Sequence, residues 1–485
     1  MIDFSKIEQY RENNRIEAKK ALGGLPQSIW ETYSAFANTL GGVILLGVEE
    51  HRDHSLHTVD LPDPERLINE FWEIINDPKK VSVNILTEDQ IQTVEADGNH
   101  IIAITVPRAQ RYDKPVYIDG NPLSGSYRRN GEGDYRCTRE EVQSMLRDAK
   151  VQTPDMRVLE YMGLDVLDYD SVHRYRARME DCRPGHVWEE LEDSDFLDRL
   201  GAIGKSAGGT MHPTAAGLLM FGFEHKIIKE FPHYFLDYQE QMGPDTRLTD
   251  RIVSSSGDWS GNLYDFCFRV SERVTQDIEI PVTPGDEVSM EDSPVPNALR
   301  EALANCLINA DYYGRPGLVI VKRRDRITFS NPGAFRIEIE AAKSGGVSDP
   351  RNMALTRMFN LVGIGKGAGS GIPNIYSVWR KQGWAQPVIE EGFSPERTTL
   401  SLSLEKTGSD HTAVKSKDQR TAIDQVKKQL IIEYLTDSVS ASIGEIAEYI
   451  QLNPSRTRDY LQELLAQDIV TAVGSNQGQV YQLKA

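Results

Sequence analysis

Residues 12–19 read ENNRIEAK and set two carboxylates, Glu12 and Glu17, five positions apart, with Lys19 two residues further on. Five steps along a helix rotate a side chain well away from its predecessor, and an odd offset on a strand puts two side chains on opposite faces. The acids converge only if the chain turns between them, and Asn13-Asn14 favour a turn. The alternative is a solvated, charged helix end. A second pattern lies in LREALANCLINADYYG, where Glu301 and Asn305 stand at i and i+4 and Asn309 one turn beyond. Such a polar row on an apolar helix is costly to bury unpartnered, so something polar should meet it. A third is SYRRNGEGDYRCTRE, with Arg128, Arg129, Arg136 and Arg139 interleaved with Tyr127 and Tyr135. Arginine beside aromatics suits phosphate contact and base stacking, and equally suits a charged hairpin face.

The elements that must position these residues read as follows. SIWETYSAFANTLGG has helical apolar spacing and ends at Gly41-Gly42, and VILLGVEE is a buried strand running out into acids. HIIAITVPRA is a second strand, PVYIDGNPLSGSYRRNG a hairpin, and TREEVQSMLRDAK a helix capped by Thr138. These make a first domain over 1–150. Residues 151–290 form a mixed connecting region in which TAAGLLMFGFEHKIIKEF is a helix or strand pair. Residues 291–405 form a second α/β unit, 406–420 a polar linker, and 421–485 a compact end piece.

Composition narrows the classes. At 485 residues the chain is long enough for about three domains, each with its own core. Apolar content is ordinary, at 39%, with no run long enough for a membrane span and no apolar stretch of secretory type near the N-terminus. The four cysteines are far apart, without zinc or disulfide spacing, which fits a reduced, cytoplasmic protein. A net charge of −19 argues against a wrap-around DNA coat and requires any nucleic-acid surface to be small and segregated.

RIEAK followed by SAFANTLGGVILLGVEE resembles the Schlafen/Alba-like nucleic-acid domain. That pattern has an acid, a turn, a second acid with lysine two residues on, an AFANT-GG helix end and a GV-acid-acid strand end. In the Schlafen branch three carboxylates at these places serve a metal-dependent RNA endonuclease. The resemblance makes them Glu12, Glu17 and Glu50, with Lys19 adding charge stabilisation. Hard Mg²⁺ or Mn²⁺ prefers oxygen ligands and can activate water at a phosphate. The branch carries aspartate where this chain has Glu50, one methylene longer. The 128–139 stretch aligns with the family's basic hairpin.

The Glu301 segment resembles a divergent GHKL-type ATPase module, related to the ATP-binding fold of gyrase and histidine kinases. The likeness continues through ITFSNPGAF, RNMAL, GKGAGSGIPNIYSVWRKQG and TTLSLSL. It implies that Glu301 positions or activates water and that Asn305 holds Mg²⁺ within the Asn309 row. It also implies a phosphate-facing lid of Gly365, Gly367, Gly369 and Gly371, glycine being suited to close backbone approach to an anion. Asn331, ahead of Pro332 and Gly333, falls where the related ATPases carry an adenine-reading aspartate; it removes a charge and keeps an acceptor.

Residues 421–485 follow winged helix-turn-helix grammar, with Arg456 and Arg458 on the would-be recognition helix and GSNQG as the wing. From Arg420 onward six basic residues face eight acidic ones, leaving DNA contact and a protein–protein or dimer role both open. The resulting expectation is a multidomain α/β (α+β) protein: a Schlafen/Alba-like domain, a GHKL-like sandwich and a winged helix. Its expected function is ATP-responsive nucleic-acid binding, as a DNA-binding regulator assembled as a homo-oligomer, with ATP and Mg²⁺ or Mn²⁺ as cofactors. The alternative is a nucleotide-gated, metal-dependent endonuclease on tRNA-type RNA, as a defence effector would use.

Overall fold

The chain turns at Asn13, as the two acids require. In the computed structural model, Asn13 Oδ1 accepts from the Arg15 amide at 2.8 Å, and the Asn13 amide donates to the Ile16 carbonyl at 3.1 Å. The structure describes residues 3–243, 248–278, 294–365, 369–393 and 395–406, and toward the C-terminus 428, 431, 434–435, 438, 440–449, 454–466, 469–473 and 480–484. It divides into two units, Met1–Glu405 and Lys406–Ala485.

Strand β1 (Ile16–Lys19) leaves this turn and pairs in parallel with β2 (Gly42–Leu46). Between them runs a helix, Ile29–Asn38, whose Ala35, Phe36 and Ala37 are fully buried. Two glycines let the chain come off this helix tightly. A Cβ on Gly41, which has φ +73°, would meet the Val106 carbonyl at 2.8 Å, and one on Gly42 would meet the Phe36 ring at 2.8 Å. The buried Asn38 amide is fully used, donating to the Val116 and Tyr127 carbonyls and accepting from the Val116 amide. Strands β3 (Val48–Glu50) and β4 (Leu56–Thr58) form a small ribbon. Strands β5 (Ile91–Ala96) and β6 (Asn99–Val106) complete a four-stranded sheet in the order β1-β2-β6-β5.

The stretch 115–131 forms no hairpin of its own, and the hairpin is the basic stretch 126–140, as the resemblance implied. Its strands are β7 (Tyr127–Asn130) and β8 (Gly133–Arg136), whereas 116–126 contributes isolated bridges and a short helical turn. The helix Arg139–Asp148 follows, with Thr138 and Glu141 capping it reciprocally.

Beyond residue 150 the segment 215–230 resolves into two short helices, Ala215–Phe221 and Glu224–Glu230. A small ribbon pairs β9 (Ile203–Lys205) with β10 (Met211–Pro213). Strands β11 (Leu236–Gln241) and β12 (Asp250–Val253) then join β13 (Leu318–Arg323), β14 (Arg326–Pro332), β15 (Val388–Phe393) and β16 (Glu396–Ser403). They form one six-stranded sheet in the order β12-β11-β13-β14-β16-β15. Because β11 pairs in parallel with β13, the connecting region supplies an edge of the same sheet as the 291–405 unit. A single hydrophobic core runs from Leu159 to Leu402 and includes Leu303, Phe329 and Trp379. The helices Pro294–Asn309 and Gly371–Lys381 pack together over this sheet.

The C-terminal unit holds β17 (Ala441–Ser442), helices Ile443–Tyr449 and Pro454–Ala466, β18 (Val470–Val473) and β19 (Val480–Leu483), with sheet order β17-β19-β18. Ile446, Leu461 and Leu464 centre its core. Most of the linker, the wing residues and the Arg456 side chain lie outside the described residues, and Arg458 is exposed.

Candidate functional site

The acids of the N-terminal body do converge, and the turn at Asn13 is the cause. Glu12 Oε1 accepts from the Ala18 amide at 3.0 Å, which folds it back over β1. Burial raises the Glu12 carboxyl above its ordinary value, the Ala18 amide opposes this, and the nearby charges of Glu17 and Glu50 raise it further. Glu17, on β1, is buried between two cations: Lys19 Nζ at 2.8 Å from Oε1 and Arg129 Nη2 at 2.8 Å from Oε2. The second contact has ion-pair distance without hydrogen-bond geometry, since Oε2 finds no aligned donor. Glu50, at the end of β3, accepts from His54 Nδ1 at 2.9 Å. Glu17 thus spends its charge inside the protein, and no group of three His, Cys, Asp or Glu side chains arranged to hold a metal occurs among the described residues. Glu12, Glu17 and Glu50 lie close enough for their charges to act on one another, with Glu17 held by Lys19 and Arg129.

Arg129 also departs from expectation. Its side chain is 1% exposed and donates to the Asn13 and Ile16 carbonyls as well as pairing with Asp134 at 2.9 Å. It ties the hairpin to the open edge of β1 and is withdrawn from the surface. Arg128 pairs with Glu141 at 3.0 Å. Arg136 and Arg139 stay exposed, Arg136 donating to the Tyr127 hydroxyl at 3.2 Å.

The polar row of helix Pro294–Asn309 opens into a cavity of the Met1–Glu405 unit. Its empty volume, mouth included, is about 1130 Å³, and Glu301, Asn305, Asn309, Asn331, Gly365, Gly369 and Gly371 all line it. The apolar walls come from Phe329, Phe335, Ile372 and Leu400. Asn305 Nδ2 is buried there without a hydrogen-bond partner, an unmet donor of the kind a bound ligand satisfies. A Cβ on Gly371 would lie 2.2 Å from Glu301 Oε1 and 2.9 Å from Asn305 Nδ2, so only glycine lets this backbone close on the acid and amide. Gly369, at φ +70°, passes equally close to the Val347 carbonyl. Gly367 lies outside the described residues. Asn331 is buried, its Nδ2 donating to the Pro332 carbonyl, and Thr398 Oγ1 donates to the Gly333 carbonyl at 2.9 Å. Asn309 serves its own helix, donating to the Asn305 carbonyl at 2.9 Å.

One wall of this cavity was not apparent in the sequence. Arg336, Asp349 and Arg351 line it, and all three are bonded to the N-terminal body. Arg351 Nη2 meets Asp148 Oδ2 at 2.6 Å, while its Nη1 donates to the Asn309 carbonyl at 2.6 Å. Asp349 accepts from Arg111 Nε at 2.6 Å, and Arg336 donates to the Asp148 and Pro350 carbonyls. Arg108 adds a bidentate pair with Glu391, at 2.6 and 3.0 Å, and donates to the Phe335 carbonyl. Burial alone would raise the Asp148 carboxyl; Arg351, Arg336 and Arg147 overcome it and leave it below the usual range. In the same junction burial pushes Lys114 down to about 8 and Glu396 up to about 7. The only sequence signal was the arginines of VPRAQR and RNMAL, whose partners lie up to 283 positions away.

Three family models match stretches of the chain. Residues 12–138 match the family model described as Schlafen, AlbA_2, and residues 319–400 match the one described as putative ATP-dependent DNA helicase recG C-terminal. Residues 143–237 match a domain of unknown function. No curated protein matches the chain. Among solved structures, the DIP2311 protein from Corynebacterium diphtheriae is 14% identical, over 97% of this chain and 95% of that one, with a TM-score of 0.39. The N-terminal domain of a putative ATP-dependent DNA helicase RecG-related protein from Nitrosomonas europaea is 30% identical, over 28% of this chain and 95% of that one, with a TM-score of 0.23. The chain is a fusion of a Schlafen/AlbA-like domain with an ATPase-type module, and both point to a nucleic-acid-related function.

Proposed function

We propose that this fusion of a Schlafen/AlbA-like domain with an ATPase-type module is an ATP-responsive nucleic-acid-binding protein, acting as a DNA-binding regulator. The observation that carries the reading is the shared wall: Arg336, Asp349 and Arg351 line the nucleotide cavity and are held by Arg111 and Asp148 of the N-terminal body. A ligand that binds the two arrangements of this wall unequally shifts their populations, and by linkage alters what the N-terminal body binds.

Each pocket residue has a task. Phe329 and Leu400 flank a base, and Asn331 offers an acceptor to an exocyclic amine. Gly365, Gly369 and Gly371, which line the cavity, present backbone N–H groups to phosphates. Asn305 would hold a divalent cation, which when bound neutralises phosphate charge, and Glu301 stands beside it on the same helical face to orient water. On the nucleic-acid side, Arg136 and Arg139 provide the exposed cations of the hairpin region. The strand–helix–helix–hairpin order of the C-terminal unit supports a winged helix with Arg456 and Arg458 on its second helix. Regulation is favoured over RNA cleavage because Glu17 is spent on Lys19 and Arg129.

The test is titration with a fluorescent ATP analogue and Mg²⁺. Wild type saturates, and Asn305→Ala loses about tenfold or more in affinity, a difference of about 1.4 kcal/mol. Equal affinities overturn the assignment.

A further inference from the structure

A second cavity runs from the nucleotide pocket along the N-terminal body. It is an open groove of about 1930 Å³, mouth included, and Arg336, Ile337, Val347 and Asp349 belong to both cavities. Its floor is the end of β2 at Gly42-Val43 with the turn bearing Arg15. Four arginines line it (15, 108, 111 and 336) against two acids, Glu338 and Asp349, on a chain whose net charge is −19. Arg108, Arg111 and Arg336 are paired with Glu391 and Asp349, so the uncompensated positive charge in the groove is that of Arg15.

The side chains fall into two kinds. Arg108, Arg111 and Arg336 are no more than 9% exposed and fixed by ion pairs to Glu391 and Asp349, so they shape the wall and spend their charge inside the protein. Arg15 is exposed, and no described residue pairs with its guanidinium. Tyr112 is 54% exposed, and the Arg111 guanidinium lies 3.9 Å from its ring centroid; Tyr10 lines the same groove. Arg336 Nε is buried without a hydrogen-bond partner where the two cavities meet. Arg111 covers one face of Tyr112, and Tyr10 is half-buried against a small apolar cluster, so the exposed part of the Tyr112 ring beside the free Arg15 is what an unpaired base and its phosphate would use; a duplex keeps its bases stacked inside.

We infer that this groove takes a single-stranded polynucleotide, a phosphate drawn to Arg15 and a base laid on Tyr112. The inference rests on the nucleic-acid reading above and deepens it by naming the path and the strandedness. Arg336, common to both cavities, makes the strand and the nucleotide neighbours.

The test is fluorescence anisotropy with labelled oligo-dT, oligo-U and a duplex of equal length. The proteins are wild type, Arg15→Glu with Tyr112→Ala, and Arg136→Ala with Arg139→Ala, each checked for an unchanged thermal midpoint. Loss of one stacked base and one phosphate contact predicts about tenfold or more weaker single-strand binding by the groove variant, and a salt slope shallower by roughly 0.7. The dT and U arms identify the polymer. Wild-type-like binding by the groove variant overturns the groove, as does equal binding of duplex by wild type. If the hairpin variant alone loses binding, the groove falls and the nucleic-acid reading stands. If wild type binds no polymer, both fall.

Discussion

Gly371 shows how closely the cavity beside Glu301 and Asn305 is built. A methyl group there would meet Glu301 Oε1 at 2.2 Å and Asn305 Nδ2 at 2.9 Å, and the helix that begins at this residue tolerates alanine. Gly371→Ala should therefore weaken fluorescent-nucleotide binding about tenfold or more while changing stability by less than about 1 kcal/mol, measured by titration and urea unfolding. Glu396 carries a pH signature. Its folded value, about 7, exceeds the ordinary 4.5, so the folded protein keeps a proton that the unfolded chain has released. This group's contribution is fully present below 4.5 and is lost as pH rises to about 7. Glu396→Gln should flatten that segment of a plot of urea midpoint against pH; an unchanged slope contradicts the assignment. At this scale Glu301 and Asn305 were legible because four-residue spacing on an apolar helix needs no tertiary information. Arg351 was not, because its partner Asp148 lies 203 positions away and is met only through the fold.

The hairpin makes the same point among elements. Arg129 is bonded to Glu17, Asp134 and two backbone carbonyls beside β1, while its neighbour Arg136 faces solvent. Breaking a buried charge pair from one side costs about 3–5 kcal/mol, so Arg129→Ala should destabilise by roughly that amount, and Arg136→Ala by less than about 0.5 kcal/mol. Equal effects in chemical denaturation would mean that the latch is absent. The basic hairpin was legible in the sequence, but the stretch 115–131 before it was also expected to be one; its Asp119-Gly120 has turn chemistry, and both residues do take positive φ. Ladder pairing did not follow; only the Tyr117–Ser126 bridge spans that turn before β7 begins. The helix cap at Thr138 was readable because a capping box is local. The membership of β11 in the six-stranded sheet was not, since its parallel partner β13 comes more than seventy residues later.

Across the Met1–Glu405 unit, charge is sorted rather than spread. An acidic chain gathers arginines 108, 111, 336 and 351 around one junction, where they link the sheet of the N-terminal body to the wall of the nucleotide cavity. The overall composition implies that any anion-binding surface is small, and the junction arginines are already matched by Glu391, Asp349 and Asp148. If this junction transmits occupancy, Arg351→Ala should uncouple the two ligands, and Asp148→Asn should do so with less loss of stability. The most direct test measures the affinity of a labelled single-stranded oligonucleotide with and without saturating Mg²⁺ and a non-hydrolysable ATP analogue, and then the reverse titration. A coupling of about 1–3 kcal/mol predicts a shift of roughly 5- to 150-fold, equal in the two directions. Superimposable curves with and without the nucleotide would contradict ATP-responsive binding.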